Sequence, residues 1–173
     1  MIRRAAAIAS LTLALAAGSA ALADDGAVKT RFGTLTIGKD PSSSWTGPTV
    51  LWHGRALHPT VRGNDALSVK TLFALATEDV VLFEDSGGTA CPELWHFVAV
   101  SRSGVASTGA FGTCGPLLGV KQHGQSIILR ARGFRGPFEP DSERLRAESE
   151  VHTFIYRLGV VTENGKPVPF SLE

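Results

Sequence analysis

The stretch CPELWHFVAVSRSGVASTGAFGTC, residues 91–114, begins and ends with the only two cysteines of the chain. Its β-branched and aromatic residues on either side of a short polar turn predict a β-hairpin. A two-residue turn at Arg102-Ser103 sets Cys91 directly opposite Cys114, within the separation that a disulfide spans. A turn one residue later would offset the two cysteines diagonally and make the disulfide harder to form. We therefore predict a Cys91–Cys114 disulfide that closes the open end of one hairpin.

The two cysteines are expected to have a structural role. An even number of cysteines in an exported chain is the usual sign of a disulfide framework. Redox-active pairs normally have Cys-x-x-Cys spacing, which these two lack. On chain-entropy grounds, closing a loop of this length would stabilise the fold by about 3.5 kcal/mol.

The N-terminal segment has the features of a secretory signal peptide. Arg3 and Arg4 precede an uncharged apolar run that ends in small residues before Asp24. This run is shorter than the roughly 20 apolar residues that a membrane-spanning helix needs. We expect residues 1–23 to be removed by cleavage between Ala23 and Asp24. That leaves one domain, residues 24–173, which we expect to be periplasmic or, alternatively, secreted.

Cleavage would change the charge balance of the chain. Loss of Arg3 and Arg4 lowers the basic count from 17 to 15, against 16 acidic residues, for a formal charge of −1. A near-neutral protein gains no long-range attraction to nucleic acid or to an anionic membrane. No later apolar stretch approaches membrane-spanning length. We expect a soluble mature protein that binds no nucleic acid and inserts into no membrane.

Short β-rich runs separated by turn residues fill the rest of the chain. Its 19 glycines and 9 prolines favour many turns. We predict a mainly β fold, which is an antiparallel sheet, a sandwich or a small barrel with at most short helical turns. Residues 66–76 fit either a helical face or a strand, and we favour a strand because residues 77–79 then turn into a clearly β-like run. The other expected elements are strands over 33–37, 49–52, 80–83, 125–130 and 151–157, hairpin turns at 53–54 and 164–165, a loop over 133–140, and one or two helical turns over 141–150.

The segment Asp85-Ser86-Gly87-Gly88 matches the core of the nucleophile motif of trypsin-like serine proteases. In that motif, backbone N–H groups form an oxyanion hole and a His–Asp pair activates the serine. Here Glu84 replaces the glycine before the aspartate, and no Ala-Ala-His-Cys segment lies upstream. We interpret the segment as a glycine turn capped by Asp85 and Ser86.

Neither the histidines nor the carboxylates form a recognisable catalytic or metal-binding motif. The histidines lack the close spacing and the third ligand of a zinc site, so we expect surface or satisfied core side chains. They are His53, His58, His96, His123 and His152. The carboxylate pairs at 78/79, 84/85 and 139/141 are expected in solvated turns. We therefore assign no catalytic residue, metal or cofactor from the sequence.

Two groups of residues are candidates for a binding surface. Arginines cluster in the region of Arg132 and Arg135, although nearby acidic residues neutralise most of their charge. The indole rings of Trp45 and Trp52 could stack on sugars or anchor a partner. Trp45 lies in a serine-rich loop and is the better exposed candidate, whereas Trp95 is expected to pack beside the disulfide.

The chain resembles a group of small, uncharacterised, exported bacterial proteins. The resemblance rests on a Gly-Gly-x-x-Cys-Pro segment, here residues 87–92, followed by a hairpin and Phe-Gly-x-Cys, here residues 111–114. The run that begins at Asp79 and the segment 162–166 are similar too. The resemblance implies an exported β-rich fold with one disulfide, and it brings no assigned activity.

The absence of a convergent catalytic set in the sequence favours a non-catalytic interaction module. Such a module would bind an envelope protein or polymer as an inhibitor, an immunity protein or an accessory factor. The alternative is a small periplasmic hydrolase whose catalytic residues, such as His96 or Asp85, come from distant positions in the sequence. A deep pocket that holds a histidine with a carboxylate or a serine would argue against the module and for the hydrolase, and a flat aromatic or exposed-edge surface would favour the module.

Overall fold

The computed structural model of the protein describes residues 26–168. The predicted signal peptide, residues 1–23, and its cleavage site at Ala23 and Asp24 lie outside the described residues. The predicted mainly β fold is confirmed, because the chain forms antiparallel strands with a single short helix between residues 26 and 168.

The strands are joined by short turns and by three longer connections, at residues 39–48, 57–65 and 133–150. In chain order they are β1 Ala27–Thr30, β2 Gly33–Gly38, β3 Thr49–Trp52, β4 Arg55–Ala56, β5 Ala66–Ala74, β6 Glu78–Ser86, β7 Glu93–Ser101, β8 Gly104–Ser107, β9 Phe111–Cys114, β10 Leu117–His123, β11 Ser126–Arg132, β12 Val151–Arg157, β13 Val160–Glu163 and β14 Lys166–Pro167. The helix, α1 Asp141–Ser149, connects β11 to β12.

The strands form three antiparallel sheets. The N-terminal sheet has the order β1-β2-β3-β4, and the C-terminal sheet has the order β10-β11-β12-β13-β14. The central sheet has the order β5-β6-β7-β8, and β9 also pairs with β7. Each outer sheet is therefore a series of neighbouring hairpins, which needs no long crossover connection.

The central sheet is buried on both faces. One face of β6 and β7 packs with the N-terminal sheet, in a core that includes Val81, Phe83 and Val98. The opposite face packs with the C-terminal sheet, in a core that includes Leu82 and Phe97. This explains the sequence of β6 and β7, because a strand buried on both faces is apolar at nearly every position rather than at alternate ones.

The hairpin at residues 91–114 confirms the predicted turn and disulfide but not the predicted register. Ser101 pairs with Gly104, so the turn is at residues 102–103 as predicted. Cys91 and Cys114 are disulfide-bonded, with a Cα–Cα distance of 4.6 Å. However, Cys114 lies opposite Glu93 and not opposite Cys91.

The register changes in two places, first at residues 108–110, which separate β8 from β9, and again between the pairs Trp95–Phe111 and Glu93–Cys114. The backbone N–H of Thr108 donates to the carbonyl of Phe97, and the N–H of Phe97 donates to the Thr108 hydroxyl, both at 2.9 Å. The threonine side chain therefore replaces a backbone acceptor, so the Phe97 N–H keeps a partner where the ladder is interrupted. Cys91 lies beyond the start of β7 and reaches Cys114 from the loop.

Most of the other predicted elements are confirmed. Residues 66–74 form a strand, residues 141–149 form the helix, and residues 133–140 form a loop. The turn at Asn164-Gly165 is present, but it joins β14 to β13, a strand that the prediction did not contain. Leu158 and Gly159 form the turn that leads from β12 into this strand.

Two carboxylates that were expected in solvated turns are instead held inside the fold. Asp79 is 1% exposed, and it accepts hydrogen bonds from the backbone N–H of Arg31 at 2.6 Å and from its Nε at 2.8 Å. These bonds tie the β1–β2 turn to the central sheet. Glu78 accepts a hydrogen bond from the hydroxyl of the buried Tyr156 at 3.1 Å, which ties the C-terminal sheet to the same strand. Burial, followed by the Glu78 charge, raises the pKa of the Tyr156 hydroxyl.

Candidate functional site

A cleft of about 780 Å³ lies at the edge of the central sheet, where β8 ends and β9 has not yet begun. We call it the His96 cleft after the most buried histidine in its wall. This volume lies within the range of small-ligand sites, about 300–1,000 Å³. Its walls come from four loops and from parts of β6, β7 and β9. The lining residues are Trp45, His58, Pro59, Thr60, Arg62, Gly63, Asn64, Asp85, Gly87, Gly88, Ala90, Cys91, Leu94, His96, Gly109, Ala110, Phe111, Gly112 and Val168.

His96 is the most unusual residue of the cleft. It lies on β7 opposite Phe83 and is 3% exposed. Neither of its ring nitrogens makes a hydrogen bond of normal geometry among residues 26–168, although both are buried and the backbone of Thr108 interacts weakly with the ring. Buried side-chain nitrogens are nearly always paired, so this histidine is not the satisfied core residue that the sequence led us to expect.

The electrostatic state of His96 follows from its burial. Desolvation penalises the charged imidazolium and lowers the pKa of His96 to about 4, while the backbone of Thr108 opposes this shift in part. The ring is therefore neutral at pH 7. A neutral imidazole has one N–H donor and one acceptor nitrogen.

Asp85 lines the same cleft but does not form an acid–base pair with His96. Asp85 lies opposite Leu94, two pairs along the ladder from His96, on the same face of the sheet. Its Oδ1 accepts a hydrogen bond of 2.7 Å from the backbone N–H of Asn64, which anchors the loop before β5. Because neither His96 nitrogen is hydrogen-bonded, the carboxylate does not orient the ring.

The Asp85-Ser86-Gly87-Gly88 segment is a strand end followed by a turn. Asp85 and Ser86 are the last residues of β6, and the loop begins only at Gly87, whose N–H donates to the carbonyl of Pro92. A β-carbon at Gly87 would lie 2.6 Å from the Cβ of Asp65, so close packing requires glycine there. Ser86 is not among the cleft-lining residues, so the segment does not supply a serine nucleophile to the cleft.

Arg62 and Trp45 add a cation and an aromatic ring to the cleft. The Nε of Arg62 is buried and has no hydrogen-bond partner in the described part of the chain. Trp45 is 36% exposed, and its ring lies so close to Gly47 that a β-carbon there would be 2.7 Å from the indole nitrogen. Trp45 is thus held against the loop with part of its ring open to solvent.

The disulfide joins two walls of the cleft. Cys91 ends the loop that follows β6, and Cys114 ends β9, next to the wall formed by residues 109–112. Reduction of this bond would release one wall from the other.

The other residues proposed as a binding surface lie elsewhere in the fold. Trp52 packs on the core of the N-terminal sheet and makes an edge contact with His53 at 4.5 Å between ring centroids. Arg132 donates through a guanidinium nitrogen to the carbonyl of Glu148 at the end of α1, and Arg135 is exposed in the following loop. Of the four, only Trp45 lines the His96 cleft.

The remaining histidines do not build a metal site. His152 is hydrogen-bonded through Nδ1 to Glu163 at 2.6 Å, on the C-terminal sheet. His58 lines the His96 cleft but is exposed, as are His53 and His123. Within residues 26–168, no three histidine, cysteine, aspartate or glutamate side chains come together as metal ligands.

Sequence reasoning named Trp45, His96 and Asp85 separately but could not place them together. They come from a loop and two strands, and the strand break at residues 108–110 creates the gap between them. Arg62 was missed, because an isolated arginine between two turns carries no signal in the sequence. Comparison with known protein families, with curated proteins and with solved structures gives no match for this chain. No helix among residues 26–168 is long and apolar enough to cross a membrane.

Proposed function

We propose that the chain is an exported, non-catalytic binding module and that the His96 cleft is its binding site. The observation that carries the proposal is the buried His96 ring, which has no hydrogen-bond partner among the described residues and stands in the wall of a cleft of ligand size. A buried polar group without a partner is destabilising, so a ligand that reaches the ring gains a hydrogen bond that the protein itself does not make.

The chemistry of the cleft suggests an uncharged polar ligand group. A neutral imidazole best meets a hydroxyl or an amide, since each of these can both donate and accept a hydrogen bond. The Arg62 Nε–H would donate to a further oxygen, and the exposed part of Trp45 offers a surface for the apolar face of a sugar ring. An envelope polymer that carries sugar and peptide units supplies all of these groups.

The compartment is part of the proposal. The disulfide indicates a non-reducing environment. Together with the signal-peptide pattern over residues 1–23, it supports export to the periplasm, where envelope polymer is present.

One observation favours the competing hydrolase, namely that His96 and Asp85 line one cleft. A general base works best when its pKa is near the working pH, and His96, with a pKa of about 4, is a weak base at pH 7. The imidazole N–H does not donate to Asp85 either, so the ring has no orienting carboxylate. The binding module is therefore the better supported of the two.

The test uses muramyl dipeptide, a soluble fragment that carries sugar hydroxyls, amides and a carboxylate. We expect saturable changes in the backbone amide NMR signals of cleft residues when it is added to the folded, oxidised protein. His96→Gln and Trp45→Ala should each weaken this binding at least about tenfold, the effect of losing roughly 1.4 kcal/mol. His123→Gln, an exposed histidine outside the cleft, is the matched control and should bind as the wild type does.

Recovery of the probe distinguishes binding from catalysis. Muramyl dipeptide recovered intact after prolonged incubation supports the binding module, whereas His96-dependent cleavage supports the hydrolase. Signal changes confined to residues outside the cleft, or no changes at millimolar probe, would overturn the proposed site.

A further inference from the structure

The outward face of the C-terminal sheet has a charge distribution that the total charge of the chain conceals. Inward positions of β11 and β12, such as Leu129 and Phe154, are buried in the core. The alternate positions face away from it. The ladder Lys121–Ile128–Ile155 runs across this outward face through three strands.

Four cations stand at outward positions of these strands. They are Lys121, Arg130, Arg132 and Arg157. Lys121, Arg130 and Arg157 are exposed, while Arg132 is half-buried. None of the outward positions of β10 to β14, all within the described residues, carries an aspartate or glutamate, because Glu163 lies on the inward side with His152.

Aliphatic side chains lie among these cations. Val151 is 42% exposed, Ile155 is 36% exposed and Val160 is 46% exposed. Val160 lies directly opposite Arg157, and Val151 lies directly opposite Arg132. The face therefore combines positive charge with apolar surface.

We propose that this outward face, formed by β10 to β13, docks peripherally on an anionic lipid bilayer. The four cations match the negative headgroups, and the aliphatic side chains between them would reach the boundary with the acyl chains. A hydrated anionic polymer would match the charges but would leave the aliphatic side chains in contact with water. The face spans on the order of 400 Å² from strand spacing and rise, about half of what one partner buries in a stable protein complex.

The contact is peripheral and does not depend on the His96 cleft. The face belongs to a different sheet, and none of its four cations lines the cleft. It also revises an expectation from composition, since a chain with a near-neutral total charge can still present one face whose outward strand positions carry cations and no carboxylate, with the acidic helix α1 beside it at Arg132.

The experiment is vesicle flotation of the folded, oxidised protein with two lipid compositions. One vesicle contains equal phosphatidylglycerol and phosphatidylcholine, and the other contains phosphatidylcholine alone. We expect flotation with the anionic vesicles only, with loss of binding as salt is raised from 50 to 500 mM. The double variant Arg130→Glu/Arg157→Glu should bind anionic vesicles at least about tenfold more weakly, because each basic residue near such a surface contributes roughly a factor of five.

The matched control is Lys29→Glu/Arg55→Glu, which makes the same charge change at exposed positions of the N-terminal sheet. This control should float as the wild type does. Equal loss in both double variants would show that only total charge matters, which overturns the assigned face. Absence of flotation with anionic vesicles, or binding to dextran sulfate without binding to vesicles, would overturn the bilayer as its partner.

Discussion

Replacing His96 should remove a large acid sensitivity from the stability of the protein. The pKa of His96 lies near 4 in the folded state and near 6.5 in the unfolded chain. Between these values the unfolded state binds one proton that the folded state does not, so acid favours unfolding. The contribution of the neutral ring is fully present above pH 6.5 and is lost as the pH falls to 4.

The magnitude follows from the size of the pKa difference. At 1.36 kcal/mol per pKa unit, the shift from 6.5 to about 4 corresponds to a loss of about 3 kcal/mol in the free energy of unfolding. This is a large part of the 5–15 kcal/mol that stabilises a typical domain. The wild type should therefore unfold at clearly lower urea concentration at pH 4 than at pH 7.

Urea unfolding followed by tryptophan fluorescence at pH 7.0, 5.5 and 4.0 measures this effect. His96→Gln, which keeps a polar side chain but does not titrate, should lose about 3 kcal/mol less than the wild type between pH 7.0 and 4.0. His58→Gln, an exposed histidine of the same cleft, should keep the wild-type pH dependence. Comparing the pH-dependent loss of unfolding free energy in the wild type and in His96→Gln removes the contribution of every group that both proteins contain. Identical pH dependence in wild type and His96→Gln would refute the buried, neutral ring.

Two further predictions concern the bonds that hold the fold. Cys91→Ala/Cys114→Ala should lower the free energy of unfolding by about 3.5 kcal/mol, and a wild type that is equally stable after reduction would contradict this. Asp79→Ala should cost about 1–3 kcal/mol, because it removes the buried acceptor of two hydrogen bonds from Arg31, and thermal unfolding measures it. A loss below 1 kcal/mol would mean that Arg31 does not depend on this carboxylate for its position.

Local features of the fold could be predicted because local chemistry determines them. The turn at residues 102–103, the strand over 66–74 and the short helix after the Gly/Pro-rich loop all follow from turn residues and side-chain periodicity. The disulfide partner was determined by the number of cysteines alone.

The fold could not be predicted where a side chain takes the place of a backbone group in the hydrogen-bond ladder. Part of the register shift at Cys114 arises where the Thr108 side chain takes a place in the hydrogen-bond ladder. Nothing in the sequence distinguishes this threonine from one on a strand surface. Strand β13 was missed because it is only four residues long and because its turn at Leu158-Gly159 lacks a strong turn signature.

The candidate site could be predicted only in part. Trp45 was correctly named as the more exposed of the tryptophans in loops and strands. The burial of His96 could not be predicted from the sequence. Its position in an apolar run fits equally well a residue on the solvent face of a sheet that is buried on one face only. It is the two-sided burial of the central sheet, a property of three packed layers, that buries the ring.

The most direct test of the account is the titration of the His96 ring itself. Long-range ¹H–¹⁵N spectra of the histidine rings, recorded on the folded protein from pH 7.5 to pH 3.5, report the protonation of each imidazole. The buried, neutral ring predicts that His96 stays uncharged until the pH approaches 4. A His96 ring that titrates near pH 6.5 would contradict the cleft as described, and the binding site proposed from it would fall.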